Sequence, residues 1–183
     1  MQANIAIGLI ETSSIAKGIE ASDAMCKMAS VKLAKTAVIA RGKYIIMITG
    51  PLGEVESSMR AGREIAGKSV IDEVLIRNVH SQVLAALDKR IAVEALDAFG
   101  IIETKDAIAT VRAADAAAKA AAVHVLEVKT VVGGGKGYVS MTGEVGAVRS
   151  AVAAAIAVVP EGMLVAHVVI PQADVQLLAT VGK

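Results

Sequence analysis

The sequence predicts an α+β protein made of two tandem copies of one small domain, each ordered β-α-β-β-α-β with a short C-terminal helix. Three observations predict it. A set of short motifs returns once, in order. Within each half, short strand-like apolar runs alternate with stripes at helical spacing. Glycine-containing turn signals separate those runs at matching places.

The repetition is extensive. Ile7-Gly8-Leu9-Ile10-Glu11-Thr12 returns as Phe99-Gly100-Ile101-Ile102-Glu103-Thr104. Asp23-Ala24 followed by Lys27 returns as Asp115-Ala116 followed by Lys119. Gly42-Lys43 returns as Gly135-Lys136 after a one-residue shift, and Thr49-Gly50, Gly53, Val55 and Ser57 return as Thr142-Gly143, Gly146, Val148 and Ser150. After one more shift, Ile76 and Gln82 meet Ile170 and Gln176. A period of about 90 residues is too long for a solenoid unit and suits a duplicated domain. The two copies are placed at residues 1–90 and 96–183.

Each half then reads element by element. A short apolar strand, Ile5–Ile10 or Phe99–Ile102, ends in Glu-Thr. A helix follows. In the first half Ile15, Ile19, Met25 and Met28 suit one of its faces; in the second, Ala107–Ala122 is almost all good helix former, with Asp106 as N-cap. Two strands joined by a tight turn come next: Leu33–Ile39 with Lys43–Thr49, and Val123–Val132 with Tyr138–Thr142. A second helix starts after Gly50-Pro51 or Gly143-Glu144. Pro51 suits a first helical position, and Leu52, Val55, Met59 and Gly62 make the inner stripe. A fourth strand, Val70–Ile76 or Met163–Ile170, precedes a short helix, His80–Leu87 or Ala173–Thr180, with Asp88–Ala98 as linker. This is the ferredoxin-like arrangement, which hosts many functions and settles none.

Composition narrows the classes. The chain is 55% hydrophobic but 2% aromatic, so its cores are built from Ala, Val, Ile, Leu and Met. Each half is small enough to be marginal alone. A mean hydropathy of +0.60 exceeds what a soluble monomer needs; Ala-rich helices are one source of that excess, and buried subunit contacts are the favoured one. A net charge of +1, no Trp, one Phe and two Tyr supply neither the basic field nor the stacking platform of a nucleic-acid binder. No run reaches the length of a membrane span; the longest, Ala151–Val159, is bounded by Arg149 and Glu161. The N-terminus lacks the basic start of a secretion signal. One cysteine allows no intrachain disulfide, and a cytosolic protein is expected.

Candidate chemistry is sparse. Gly133-Gly134-Gly135-Lys136 lacks the spacing of a phosphate-binding loop and runs on into a strand at Tyr138-Val139, so it reads as a tight turn between crowded backbones. His80, His124 and His167 have no metal-ligand spacing, and the last two read as half-buried strand residues. Cys26 reads as a packed helix thiol. Glu11 and Glu103 end equivalent strands, and their repetition argues for structure: a helix cap or a subunit contact. Lys27 and Lys119, at one offset, read as interface lysines. No nucleophile–base arrangement is legible, so no catalytic residue, metal or cofactor is assigned and an enzyme is not expected.

Three features together go beyond the fold: the strand end [IF]-G-[LI]-I-E-T, the helix segment D-A-x-x-K, and the turn V-G-G-G-K followed by the helix start T-G-x-V-G-x-V. They resemble the bacterial microcompartment shell-protein family from about Ile5 to about Leu178. The second half is close to the family pattern, while the first keeps the frame with a changed turn, Ile39-Ala40-Arg41-Gly42-Lys43. Two unpermuted domains in tandem are similar to the trimer-forming class, whose three chains make a pseudohexamer. The resemblance implies a homotrimeric, non-enzymatic tile that packs edge to edge with other shell proteins in the cytoplasm. It also implies a central pore for small metabolites, ringed by Ala40, Arg41 and Gly42 alternating with Gly133, Gly134 and Gly135. Three converging Arg41 guanidinium groups would attract anions. The edge lysines of the family match Lys27 and Lys119. Where the family often has Pro-Arg-Pro-His after its fourth strand, this chain has Arg77-Asn78-Val79-His80 and Pro171-Gln172-Ala173-Asp174, so Asn78, His80 and Gln172 become edge candidates without the edge arginine. Some tandem members hold an iron–sulfur cluster through a cysteine in the first turn. Ala40 stands there in this chain, so the cluster is not implied. The rival reading is a ferredoxin-like oligomeric regulator that binds a small molecule between subunits.

Overall fold

The computed structural model describes residues 5–174 and 176–177. The chain forms two compact units that divide between Val79 and His80. The first unit runs β1 (Ile5–Thr12), α1 (Ile15–Met28), β2 (Lys32–Ile39), β3 (Lys43–Pro51), α2 (Leu52–Ala66) and β4 (Val70–Ile76). Its antiparallel sheet has the order β2-β3-β1-β4. The second unit opens with α3 (Ser81–Asp88) and repeats the series as β5 (Ala98–Thr104), α4 (Ala107–Ala120), β6 (His124–Val132), β7 (Lys136–Gly143), α5 (Val145–Val158) and β8 (Leu164–Ile170). Its sheet order is β6-β7-β5-β8. The α+β, βαββαβ reading holds in both halves.

The duplication extends to register faults. The pairing of β1 with β4 slips between Glu11 and Thr12, and that of β5 with β8 slips between Glu103 and Thr104. The hairpins slip at Leu33/Lys35 and at Val125/Glu127. Bulges at matched positions re-aim the same side chains twice, a stronger mark of common descent than strand order.

In the first unit α1 and α2 bury one face of the sheet. Ile10, Met25, Tyr44, Ile46, Ile48, Val55 and Met59 are central to that core. Val55, Met59 and Gly62 are buried and Leu52 packs at the margin, as the stripe on α2 predicts. Close approach is made by small residues. A Cβ on Gly8 would lie 2.7 Å from Met59 Sδ, and one on Gly62 would lie 2.5 Å from Met25 Sδ. The stripe expected on α1 is only half right. Met25 is buried and Ile15 packs on the core, but Ile19 and Met28 are exposed. The face that packs is Gly18, Ala21, Ser22 and Met25, and its three small residues let α1 lie close to the sheet.

The halves use one contact with the sizes exchanged. In the first, Gly18 on α1 faces Tyr44 on β3, and a Cβ at Gly18 would meet Tyr44 Cδ1 at 2.4 Å. In the second, the equivalent helix position is Thr110 and the equivalent strand position is Gly137; a Cβ there would meet Thr110 Oγ1 at 2.0 Å.

Helix starts follow local chemistry. Asp106 caps α4 by accepting the Ala109 N–H at 2.7 Å, as expected, and Ser14 caps α1 through the Lys17 N–H at 3.3 Å. Pro51 stands one residue earlier than expected, ending β3 at the N-cap of α2. Glu144 caps α5 by accepting from Gly146 and Ala147 at 2.8 and 3.1 Å. Those two backbone donors hold its carboxyl below the ordinary range.

Helix α3 differs from its place in chain order, which counts it with the first copy. In space it is built into the second unit. Gln82 donates to Val123 O at 3.0 Å and accepts the Val125 N–H at 2.8 Å, clamping the outer edge of β6. The His80 N–H donates to Asp115 on α4 at 2.8 Å, and Val83 and Ala86 are buried. Half of the predicted helix Ala173–Thr180 lies outside the described residues. What is described is its opening, where Asp174 accepts from Gln176 N at 2.8 Å and Leu177 N donates to Asp174 O at 2.9 Å.

Candidate functional site: two hairpin turns and two lysine-bearing helices

The turn between β2 and β3 is a 3-10 turn, Ala40–Gly42, and that between β6 and β7 is its counterpart, Gly133–Gly135. Left-handed backbone is built into both. Gly42, Gly134 and Gly135 have φ of 72°, 82° and 89°. Arg41 has φ 64° and is the sole non-glycine residue in this region among those described. Glycine is therefore needed for dihedral reasons. The crowding expected from sequence is not found among the described residues: apart from the chain neighbours, none of their atoms lies within 4 Å of a Cβ built on Gly42, Gly133 or Gly134. Arg41, Gly42, Gly133 and Gly134 are exposed, and among the described residues Arg41 makes no ion pair.

The strand-end glutamates anchor these turns. Glu11 and Glu103 neither cap helices nor stand free: Lys43 donates to Glu11 and Lys136 to Glu103, both at 2.7 Å. Each lysine is the first residue after its turn, so each pair ties a turn to the central strand of its sheet. The environments differ. Glu11 is 2% exposed, whereas the Glu103 carboxylate meets solvent.

The two lysines expected at an interface repeat one geometry. Lys27 donates to Asp23 at 2.6 Å and Lys119 to Asp115 at 2.5 Å, the i,i+4 pairing that D-A-x-x-K encodes. Asp23 is exposed, while Asp115 is buried and also holds the His80 N–H. The structure thus brings Lys119 and His80 together on one carboxylate. The His80 ring accepts from Gln82 N at 3.3 Å and caps α3. Asn78 is exposed after β4. Gln172 lines an open depression of about 530 Å³ with Asp97, Glu144, Val145, Ile170 and Pro171.

Several sequence readings are corrected. His124 and His167 are exposed rather than half-buried. Cys26 is exposed on α1, not packed. A polar cluster on the second hairpin went unread: Tyr138 donates to Glu127 at 2.5 Å, and Lys129 pairs with the same carboxylate at 3.0 Å. Burial, then the Glu127 bond, raises the Tyr138 phenol well above its ordinary range. The signal was the register that sets Lys129 opposite Tyr138, which spacing alone does not reveal. Among the described residues no group of three His, Cys, Asp or Glu could hold a metal, and no helix is long and apolar enough to cross a membrane.

Two copies of one scaffold each present a turn tied by a Glu–Lys pair and a helix lysine paired at i,i+4. Comparison with known proteins identifies the scaffold. The BMC-domain model matches twice, at residues 6–79 and 98–173. The bacterial microcompartment shell protein PduT of Citrobacter freundii is 40% identical over 91% of this chain and 92% of its own length. The major carboxysome shell protein CsoS1A of Halothiobacillus neapolitanus is 36% identical over 46% of this chain and 90% of its own. The crystal structure of a microcompartments protein from Desulfitobacterium hafniense superposes with a TM-score of 0.89, at 44% identity, covering 96% of this chain and 98% of that one. The chain belongs to the bacterial microcompartment shell-protein family and carries two of its domains in tandem. Its role is structural, as a shell component, and not enzymatic.

Proposed function

We propose that three copies of this chain form a pseudohexameric tile of a cytoplasmic microcompartment shell, pierced by a pore that passes small anionic or polar metabolites. The observation that carries this is the pair of turns. Both leave the same corner of the same scaffold, both are tied by a Glu–Lys pair to a central strand, and both present exposed backbone that nothing among the described residues covers. In a ring of six domains, Ala40, Arg41 and Gly42 would alternate with Gly133, Gly134 and Gly135. The perimeter would carry Lys27, Lys119, Asn78, His80 and Gln172, and the two domains placed by sequence at 1–90 and 96–183 would be the alternating sectors, with α3 of the first lying on the second.

The tile reading is tested by assembly. Sedimentation at micromolar concentration is expected to show a trimer with little monomer, and concentrated protein to form sheets in electron micrographs. Replacing both Lys27 and Lys119 by Asp should abolish sheets and leave the trimer. A stable monomer would end the tile reading, and loss of the trimer in the double variant would move these lysines inside the subunit contact.

The pore reading is tested at Arg41. Three unit charges about 4–8 Å apart at a surface-like dielectric repel by a few kcal/mol at most, which a bound anion offsets. Calorimetric titration with sulfate or phosphate is expected to detect binding that Arg41→Glu removes and Arg41→Gly weakens. Arg41→Gly should also raise the melting temperature, since a left-handed non-glycine residue carries about 1 kcal/mol of strain. Unchanged anion binding in Arg41→Glu would remove Arg41 from the pore.

A further inference from the structure

We infer that Glu103 is a specificity-determining residue of the pore proposed above: by pairing with Lys136 it masks the charge nearest the glycine turn and so sets how tightly an anion is held. The inference rests on that pore reading and concerns how its charge is set.

The two turns start from equal charge. Each is followed directly by a lysine, Lys43 after Ala40–Gly42 and Lys136 after Gly133–Gly135. Each lysine meets a strand-end glutamate, Glu11 or Glu103, at 2.7 Å. The first turn then adds Arg41, exposed and without an ion pair among the described residues. The second turn adds no side chain at all, so Lys136 is the cation next to it. With both lysines answered, a ring of such turns carries charge only at every other position.

Solvent separates the two pairs. The Glu11 side chain is 3% exposed, and that of Glu103 is 35% exposed beside a Lys136 that is 50% exposed. A buried carboxylate keeps its lysine, because losing the partner leaves a charge out of water. Lys43 is therefore committed to Glu11. A pair in water is worth little, so a dissolved anion competes with Glu103 for the Lys136 ammonium. The rest of the hairpin is already neutral. Tyr138, opposite Glu103, gives its O–H to Glu127, and Lys129 pairs with that same carboxylate. Of the two lysines on β6 and β7, Lys136 is the one whose partner meets solvent.

A pore has to bind its solute well enough to admit it and weakly enough to release it. Three bare Lys136 ammonium groups added to three Arg41 groups would turn a weak anion site into a trap. Glu103 prevents that without closing the turn, since its pair lies beside the glycines and not across them.

The test is calorimetric titration of the full-length trimer with sulfate in low-salt buffer. Glu103→Gln keeps the side-chain shape and removes the charge. It should bind sulfate about tenfold more tightly, the effect of an added charge-assisted contact. The stoichiometry should be one sulfate per three chains, and added sodium chloride should weaken binding more steeply than in the parent. Its melting temperature should stay within about two degrees of the parent, as expected for an exposed pair. Adding Lys136→Met to Glu103→Gln should return the affinity to the parent value. Unchanged sulfate affinity in Glu103→Gln overturns the mask. So does a gain that survives Lys136→Met, and so does a stoichiometry of three sulfates per trimer, in which each lysine binds alone. The Arg41 part of the pore reading fails separately, by sulfate binding that Arg41→Glu leaves unchanged; a gain in Glu103→Gln that needs Lys136, at one sulfate per trimer, would still support the mask.

Discussion

Gly137→Ala is expected to cost about 3 kcal/mol of stability, at the upper end for overpacking by one methyl group. The methyl would lie 2.0 Å from Thr110 Oγ1 and 2.7 Å from Lys129 O. Neither can retreat cheaply. The carbonyl belongs to the backbone of β6. The Thr110 hydroxyl is bonded to Thr104 Oγ1 at 2.6 Å and donates to Asp106 O at 2.7 Å, so turning it away breaks buried bonds. Adding Thr110→Gly should restore part of the loss, because the first domain solves the same contact with glycine on the helix. A coupling of about 1 kcal/mol or more in a double-mutant cycle, read from urea unfolding, is the expected mark. A melting temperature for Gly137→Ala within about a degree of the parent would show that the strand shifts freely and would refute the packing argument.

Lys43→Met is expected to cost about 3 kcal/mol, and the equivalent Lys136→Met less than about 1. The bonds have equal length, so distance does not decide between them; solvation does. Glu11 lies on the inner strand β1, paired with Ile45 on one side and Asp72 on the other, and is almost wholly buried. Without Lys43 its carboxylate stays out of water with its charge unmatched. The Glu103 carboxylate already meets solvent, and water replaces Lys136. Adding Glu11→Gln to Lys43→Met should recover most of the loss, since the pair attracts chiefly by answering a charge that burial makes costly. Equal losses at both lysines would show that the pairs act through the turns they tie rather than through desolvation.

Much of this was legible before any coordinates. Duplication was visible because identical short strings return in order, and strand order because a β1-type run, a hairpin and two helices leave separate periodic marks. Asp106 and the stripe on α2 were readable because caps and stripes depend on near neighbours. What failed depends on partners far along the chain. Ile19 and Met28 share a spacing with Met25, but Gly18 and Ser22 face the sheet because α1 packs close. The Glu11–Lys43 pair spans two strands and needs their register. Helix α3 reads as the end of one domain, and only the edge of β6, which Gln82 reaches, assigns it to the next. At the candidate pore the residues were nameable from family resemblance, whereas the left-handed backbone of Arg41 was not.

The exchanged sizes at Gly18–Tyr44 and Thr110–Gly137 bear on how such a gene can change. Tandem repeats are prone to conversion, in which one copy is overwritten by a tract from the other. A tract carrying the strand without its helix would set tyrosine against threonine, or glycine against glycine, leaving a clash in one domain or a hole in the other. Homogenising events of that kind would be removed by selection on folding. The two copies are thereby insulated from each other, and the different turns that lie a few residues away, one with arginine and one with three glycines, are free to be inherited as a distinct pair.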